Sequence, residues 1–206
     1  MTAAHWESVY RTKAEDEVSW FEESPQASLD AIAAVGLKPT DSSSAAAVDI
    51  GAGRSGLAVA LLELGWHPVI ALDISSAALE QLANRTTDGL ICVASDVLRW
   101  QPDRQVGLWH DRAVFHFLTE PADQAAYADL AARTVVPGGI VILATFAPDG
   151  PEQCSGLPTA RHDAASLERI FTPGFALQRQ QRIEHRTPWG AIQPFTCVVL
   201  RRQGAD

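Results

Sequence analysis

The chain has 206 residues, a formal net charge of −9, 47 % hydrophobic residues and 20 % charged ones. That is enough for one domain with a sizeable core. So acidic a balance, with no Lys/Arg run to offset it, speaks against a nucleic-acid partner. The apolar runs are shorter than a membrane span and the N-terminus does not read as a signal peptide, so the expectation is a soluble, cytoplasmic protein. Cys92, Cys154 and Cys197 are too few and too scattered for a disulfide framework or a zinc site.

The first stretch, HWESVYRTKAEDEVSWFEESP, is highly charged yet carries Trp6, Tyr10, Trp20 and Phe21. So many aromatics need something to bury. Residues 1–40 are expected to form a helical lid over the open edge of the following sheet, with Trp20 nearest the ligand; the alternative is a helix packed on the sheet's flank. The polar bridge KPTDSSSAA leads into residues 41–206, and the two parts are expected to make one structural domain.

From there short apolar runs alternate with helix-like ones. AAVDI reads as a strand and SGLAVALLELG as a helix closed by Gly65. PVIALD is a second strand, SAALEQLANR a second helix, GLICVAS a third strand and VGLWHD a fourth. PADQAAYADLAARTV is a helix with Pro121 at its start, and PGG turns the chain into the apolar strand IVILATF. DAASLERIF is a helix, and FALQRQQRIEH with PFTCVVLRR reads as a final antiparallel pair. The alternation predicts an α/β, Rossmann-like, doubly wound sheet of seven strands, mostly parallel, with an antiparallel strand near one edge.

In such sheets ligands bind beyond the carboxyl ends of the strands, at the switch in strand order. Gly51 and Gly53 follow the first strand, where a bare backbone lets a ligand approach. Asp73 ends the second strand, where an acid accepts hydrogen bonds from a ribose diol. Gly51, Gly53 and Gly56 also fit a dinucleotide spacing. Asp49, however, would lie against a pyrophosphate, where a carboxylate is unfavourable, whereas it suits the ammonium end of an amino acid. A ribose together with a positive amino-acid end describes S-adenosylmethionine.

The segments VDIGAGRSGLA, ALDIS, ASDVLRW and VVPGGIVILATF resemble the successive motifs of the class I S-adenosylmethionine-dependent methyltransferases, over roughly residues 46 to 146. The resemblance implies that Asp49, Gly51, Ala52 and Gly53 surround the methionine moiety, and that Asp73 takes the ribose hydroxyls. It puts Ile74 beside the adenine, Asp96 on the adenine amino group and Val97 near it, with His110 and the lid residue Trp20 in the same site. S-adenosyl-L-homocysteine is the implied product. Ser55 departs from the family pattern, standing where many members have a third glycine. HDRAVFHF partly resembles segments of thiopurine-type and seven-strand lysine methyltransferases.

The acceptor side is less legible. There is no Asn/Asp-Pro-Pro-Tyr/Phe element and no paired acid suggesting a magnesium site, so no metal is expected. A base is needed only if the acceptor holds a proton. Candidates are His110, Asp111 and His116, against pairing of Asp111 with Arg112 or capping of a turn, and against His116 as a core histidine. His110 and Asp111 should point to opposite sides of their strand. Arg112 and Cys154 are candidates for the acceptor pocket, although Cys154 reads rather as an incidental small residue. His185, Arg186, Trp189 and Gln193 either contact the acceptor or tie down a loop. The expected activity is methyl transfer to a small molecule. The alternatives are a protein lysine acceptor, a non-catalytic S-adenosylmethionine-binding module and a nicotinamide-dependent oxidoreductase. Oligomeric state is not legible in the sequence.

Overall fold

The computed structural model describes residues 2–85 and 88–204. Two helices come first, α1 (Ala3–Thr12) and α2 (Gln26–Val35). Then β1 (Ala47–Ile50), α3 (Leu57–Glu63), β2 (Val69–Asp73), α4 (Ser76–Ala83), β3 (Leu90–Ala94), β4 (Val106–Arg112), α5 (Pro121–Thr134) and β5 (Val135–Phe146) alternate. A short hairpin, β6 (Gln153–Cys154) with β7 (Leu157–Pro158), precedes α6 (Ala164–Phe171) and the long pair β8 (Phe175–Arg186) and β9 (Ile192–Arg202).

Among the described residues seven strands form the main sheet, in the order β3-β2-β1-β4-β5-β9-β8. The strands β1 to β5 pair in parallel. β9 runs antiparallel to both its neighbours, one place in from the β8 edge. The expected doubly wound sheet and its antiparallel strand are both present. Strand order reverses between β1 and β4, so their carboxyl ends flank the crevice where ligands enter such sheets.

Every residue of β1 and β2 is buried, as parallel strands covered on both faces must be. Alternation along the strands sends Val48, Ile50, Leu72 and Trp109 to the face packed by Tyr127 of α5 and by Leu167 and Phe171 of α6. Ala47, Ala71 and Leu108 go to the other face, against Ile32 of α2 and Leu57 and Leu61 of α3. Side chains start two of the helices: Ser75 accepts from the Ala78 N–H at α4 and Asp163 from the Ser166 N–H at α6. Val135 pairs with Val106 and the next pair is Leu108 with Ile140. The Pro-Gly-Gly segment therefore bulges out of one continuous strand instead of preceding it. No helix among the described residues is long and apolar enough to cross a membrane.

His110 and Asp111 do face opposite sides. Asp111 is fully buried on the α5 side, where its carboxylate accepts the N–H groups of Val114 (2.9 Å) and Phe115 (3.1 Å) and the Tyr127 hydroxyl (2.5 Å). The turn-capping alternative is the one observed, and this side chain does not reach the cleft. Burial raises its carboxyl to about 6. Asp111→Ala leaves those buried donors without an acceptor, each worth about 1–3 kcal/mol, so urea unfolding should show a loss of about 3 kcal/mol or more. A loss under about 1 kcal/mol would mean that the loop after β4 holds its shape without this carboxylate.

Candidate active site

The chain leaves β1 through a turn in which Gly51 and Gly53 have φ of 67° and 53°. The N–H groups of Gly51 and Ala52 both donate to the Leu72 carbonyl, at 2.7 and 3.0 Å. The Gly53 N–H donates to Asp73 Oδ2 at 2.9 Å. A Cβ on Gly51 would lie 2.1 Å from Val114 Cγ2, and one on Gly53 2.5 Å from Tyr10 Oη. Geometry and close approach therefore both demand glycine at these two positions. Gly56 differs: its φ is −75° and the nearest atom to an added Cβ is 3.9 Å away.

Three acids stand at the ends of three adjacent strands. Asp73 accepts from Gly53 and, at 2.8 Å, from the Ser75 N–H. Burial, reinforced by the nearby Asp49 charge, raises its carboxyl to about 6 although these N–H groups oppose the rise. Asp96 caps the turn after β3 by accepting the Leu98 N–H at 2.9 Å. Asp49 is only 3 % exposed. Its Oδ1 lies 2.8 Å from His110 Nδ1, and His110 Nε2 lies 2.9 Å from Ser28 Oγ on α2. A carboxylate only accepts, so His110 Nδ1 carries the hydrogen. Asp49 Oδ2 is buried with no partner.

These residues line a cleft in two lobes that share Tyr10, Trp20, Gly51 and Arg112. The first, of about 670 Å³, holds Asp73, Ile74, Asp96 and Val97 along one side and Trp6, Phe117 and Cys154 along the other. The second, of about 1200 Å³, contains Asp49, Ala52, Gly53, Ser28 and His110.

The N-terminal segment roofs the cleft, held by polar contacts spread along its length. Glu7 accepts from the hydroxyls of Ser75 (2.7 Å) and Ser76 (3.2 Å) and the Ala77 N–H (3.3 Å), at the start of α4. These donors hold its carboxyl down at about 2. Arg54 of the glycine loop donates to the carbonyls of Tyr10 and Lys13 at the end of α1. Arg112, at the end of β4, donates to the Trp20 carbonyl (3.2 Å) and His185 Nδ1 (3.2 Å) and pairs with Glu22 (2.9 Å). His185 Nε2 donates to the Ser19 carbonyl at 2.6 Å. Between these contacts, Trp6 meets Trp20 and Phe117 edge-on at 5.5 and 5.3 Å.

Arg112 and His185 thus act first as fasteners of the roof. Cys154 faces the first lobe and sits 3.9 Å from Ser19 Oγ, its thiol pushed up to about 11 by burial. His116 is 0 % exposed among Phe117, Phe146 and Phe195, with both ring nitrogens unpartnered. Burial brings it down to about 3. It is a core histidine outside the cleft, and unlike most such residues it has no hydrogen bond. Trp189 is 62 % exposed at the tip of the β8–β9 hairpin, beside Lys13 and Glu17 in a shallow depression apart from the cleft. Arg186 ties that tip by donating to the Gly190 carbonyl, and Gln193 pairs with His185 in the ladder. Ser28, Arg54, Glu22 and Tyr10 were not among the expected site residues. Of these, Arg54 had a visible signal as a cation inside the glycine turn and Tyr10 as one of the N-terminal aromatics, whereas Ser28 and Glu22 had none.

Residues 47–139 match the sequence model of a family described as a methyltransferase domain. This stretch of the chain is a methyltransferase domain, and it holds the glycine turn, Asp49, Asp73 and Asp96. Among solved structures, one determined in work on the conversion of a disulfide bond into a thioacetal group during echinomycin biosynthesis has 21 % identity and a TM-score of 0.76. That alignment covers 98 % of this chain and 93 % of that one. The 1,6-didemethyltoxoflavin-N1-methyltransferase of Burkholderia thailandensis, solved with its substrate and S-adenosylhomocysteine, has 19 % identity and a TM-score of 0.72, covering 98 % and 87 %. The N-methyltransferase NodS of Bradyrhizobium japonicum WM9, solved with S-adenosylhomocysteine, has 14 % identity and a TM-score of 0.68, covering 97 % and 99 %. At these identities the likeness is one of fold. No curated protein matches the chain in sequence.

The roof contacts predict that Arg112→Ala frees the segment around Ser19–Glu22. Trypsin should then cut after Lys13 about tenfold faster, with the sheet core still protected. An unchanged rate at Lys13 would show that Arg112 does not hold the roof.

Proposed function

We propose that this methyltransferase transfers the methyl group of S-adenosylmethionine to a small-molecule acceptor. The observation that carries the choice of acceptor is enclosure: residues 2–25 run over the carboxyl edge of the sheet, clamped by Arg54, Arg112 and His185. A small molecule fits beneath such a roof, whereas a protein side chain needs a groove for the chain that carries it. Enzymes solved with a small-molecule acceptor or with S-adenosylhomocysteine, such as those from Burkholderia thailandensis and Bradyrhizobium japonicum, support the reading. In it, residues 1–40 serve as the lid of the 41–206 domain, with Trp20 over the cofactor.

The cleft suits the cofactor. Asp49 Oδ2, buried and unpartnered, receives the ammonium group, with His110 and Ser28 fixing its orientation. Gly51, Ala52 and Gly53 bring bare backbone beside the methionine portion. Asp73 accepts the ribose hydroxyls, Ile74 and Val97 flank the adenine, and Asp96 takes its amino group. A nicotinamide dinucleotide would instead bring phosphates against Asp49. The cofactor supplies an already activated methyl group on a positive sulfur. What remains for the protein is to align the acceptor and exclude water, which is the work of the roof. Among the described residues no cluster of three or more His, Cys, Asp or Glu could hold a metal ion.

Two measurements test this reading. Asp73, raised to about 6, accepts ribose hydroxyls fully only when ionised. S-adenosylhomocysteine affinity by calorimetry should be level above neutral pH and fall through pH 6, by up to about tenfold per unit, a slope that Asp73→Asn removes. With labelled S-adenosylmethionine, transfer should go to the small-molecule fraction of a cell extract and survive EDTA. Label appearing only in protein would favour the lysine reading, and loss of transfer with EDTA a missed metal site.

A further inference from the structure

We propose that the acceptor is a flat, uncharged, π-rich molecule held against Trp6, Trp20 and Phe117, with the Trp6 indole N–H as its hydrogen-bond donor. The inference rests on the cofactor reading above. With ribose at Asp73 and ammonium at Asp49, the reactive centre falls where the two lobes meet, beside Gly51. The acceptor then reaches it from the wall opposite the acids: Trp6, Trp20, Phe117, Cys154 and Arg112, of which Trp20 also covers the cofactor.

Three of those five residues are aromatic. Trp6 stands at 71° to both Trp20 and Phe117, so the wall presents ring edges and faces for offset or edge-on stacking of a planar ring. The charges on this wall are already matched. Arg112 is committed to the Trp20 carbonyl, His185 and Glu22, and Glu22 to Arg112. Burial keeps the Cys154 thiol neutral. An anionic or cationic acceptor would bring a charge with no free partner against an apolar wall, which is costly.

One polar group on the wall is unmatched. The Trp6 indole N–H is buried without a partner, an uncommon state for a buried donor. It is a donor only, so it calls for a lone pair on the ligand and cannot serve an ammonium. A heteroaromatic ring with a carbonyl oxygen or an unprotonated nitrogen answers both demands. Such an acceptor also matches the absence of Asp111 and His116 from the cleft. Its lone pair forms the bond to the methyl carbon as the carbon–sulfur bond breaks with its electrons left on sulfur. The positive charge passes to the acceptor, which keeps it or releases a proton to solvent.

The test uses the full chain, first titrated with S-adenosylhomocysteine by calorimetry, then with probes in its presence and absence, read by saturation-transfer NMR. Isoquinoline should bind saturably and about tenfold more tightly than naphthalene, its analogue without the nitrogen, as one hydrogen bond allows. 2-Naphthoate and 2-naphthylmethylammonium should not saturate over the same range. Trp6→Phe should bring isoquinoline down to the naphthalene level with S-adenosylhomocysteine affinity within about twofold. The wild-type comparison of the two rings stands even if that variant folds poorly. A charged probe binding best, equal affinity for the two rings, or a Trp6→Phe effect on S-adenosylhomocysteine alone would overturn the inference and leave the cofactor reading standing. Failure of the wild-type chain to bind S-adenosylhomocysteine would overturn both.

Discussion

The site is organised around one buried carboxylate that is only half satisfied. Asp49 ends β1 at the switch point, and its first oxygen is fixed by His110, itself held by Ser28. The second oxygen has no partner. Burying an ion costs several kcal/mol unless charge and hydrogen bonds meet it, about as much as many whole-protein margins. A cationic ligand removes that cost, so the fold carries an electrostatic bias toward a ligand with a positive end. The glycine turn beside it serves the same purpose. Bare backbone at Gly51 and Gly53 lets Val114 and Tyr10 close to within contact, leaving the carboxylate at the floor of a cleft.

The roof follows from the same geometry. The carboxyl ends of parallel strands are where the sheet lacks cover, and residues before β1 supply it. Two of their acidic side chains are placed, not merely solvated. Glu7 sits on the start of α4, where negative charge is favoured, and Glu22 neutralises Arg112 inside the structure. Arg112 thereby joins β4, the Trp20 backbone and His185 of β8 in one knot. In the proposed reading, acceptor access and cofactor cover are coupled through that knot, because Trp20, whose backbone it holds, lines both lobes.

Much of this was legible in the sequence. Periodicity located each strand of the main sheet, because buried parallel strands leave continuous apolar runs. Asp49, Asp73 and Asp96 stood out because each ends such a run. The β5 bulge was hidden, since Pro-Gly-Gly reads locally as a turn and only pairing with β4 makes it part of a strand. The partner of His110 was hidden too: Ser28 is 82 positions away and carries no local signal. Asp111 illustrates the limit of reading residue types. Its place at a strand end suggests chemistry, but whether it faces the cleft or α5 depends on strand parity, and parity sends it to Tyr127.

The central claim is that the free oxygen of Asp49 holds the ammonium end of the cofactor. Calorimetry with S-adenosylhomocysteine on Asp49→Asn, which keeps the size of the side chain and removes its charge, tests it most directly. Charge-assisted hydrogen bonds contribute about 1.5–3 kcal/mol, so affinity should fall about ten- to a hundredfold while the melting temperature without ligand holds or rises. Wild-type affinity in a folded Asp49→Asn chain would contradict the account.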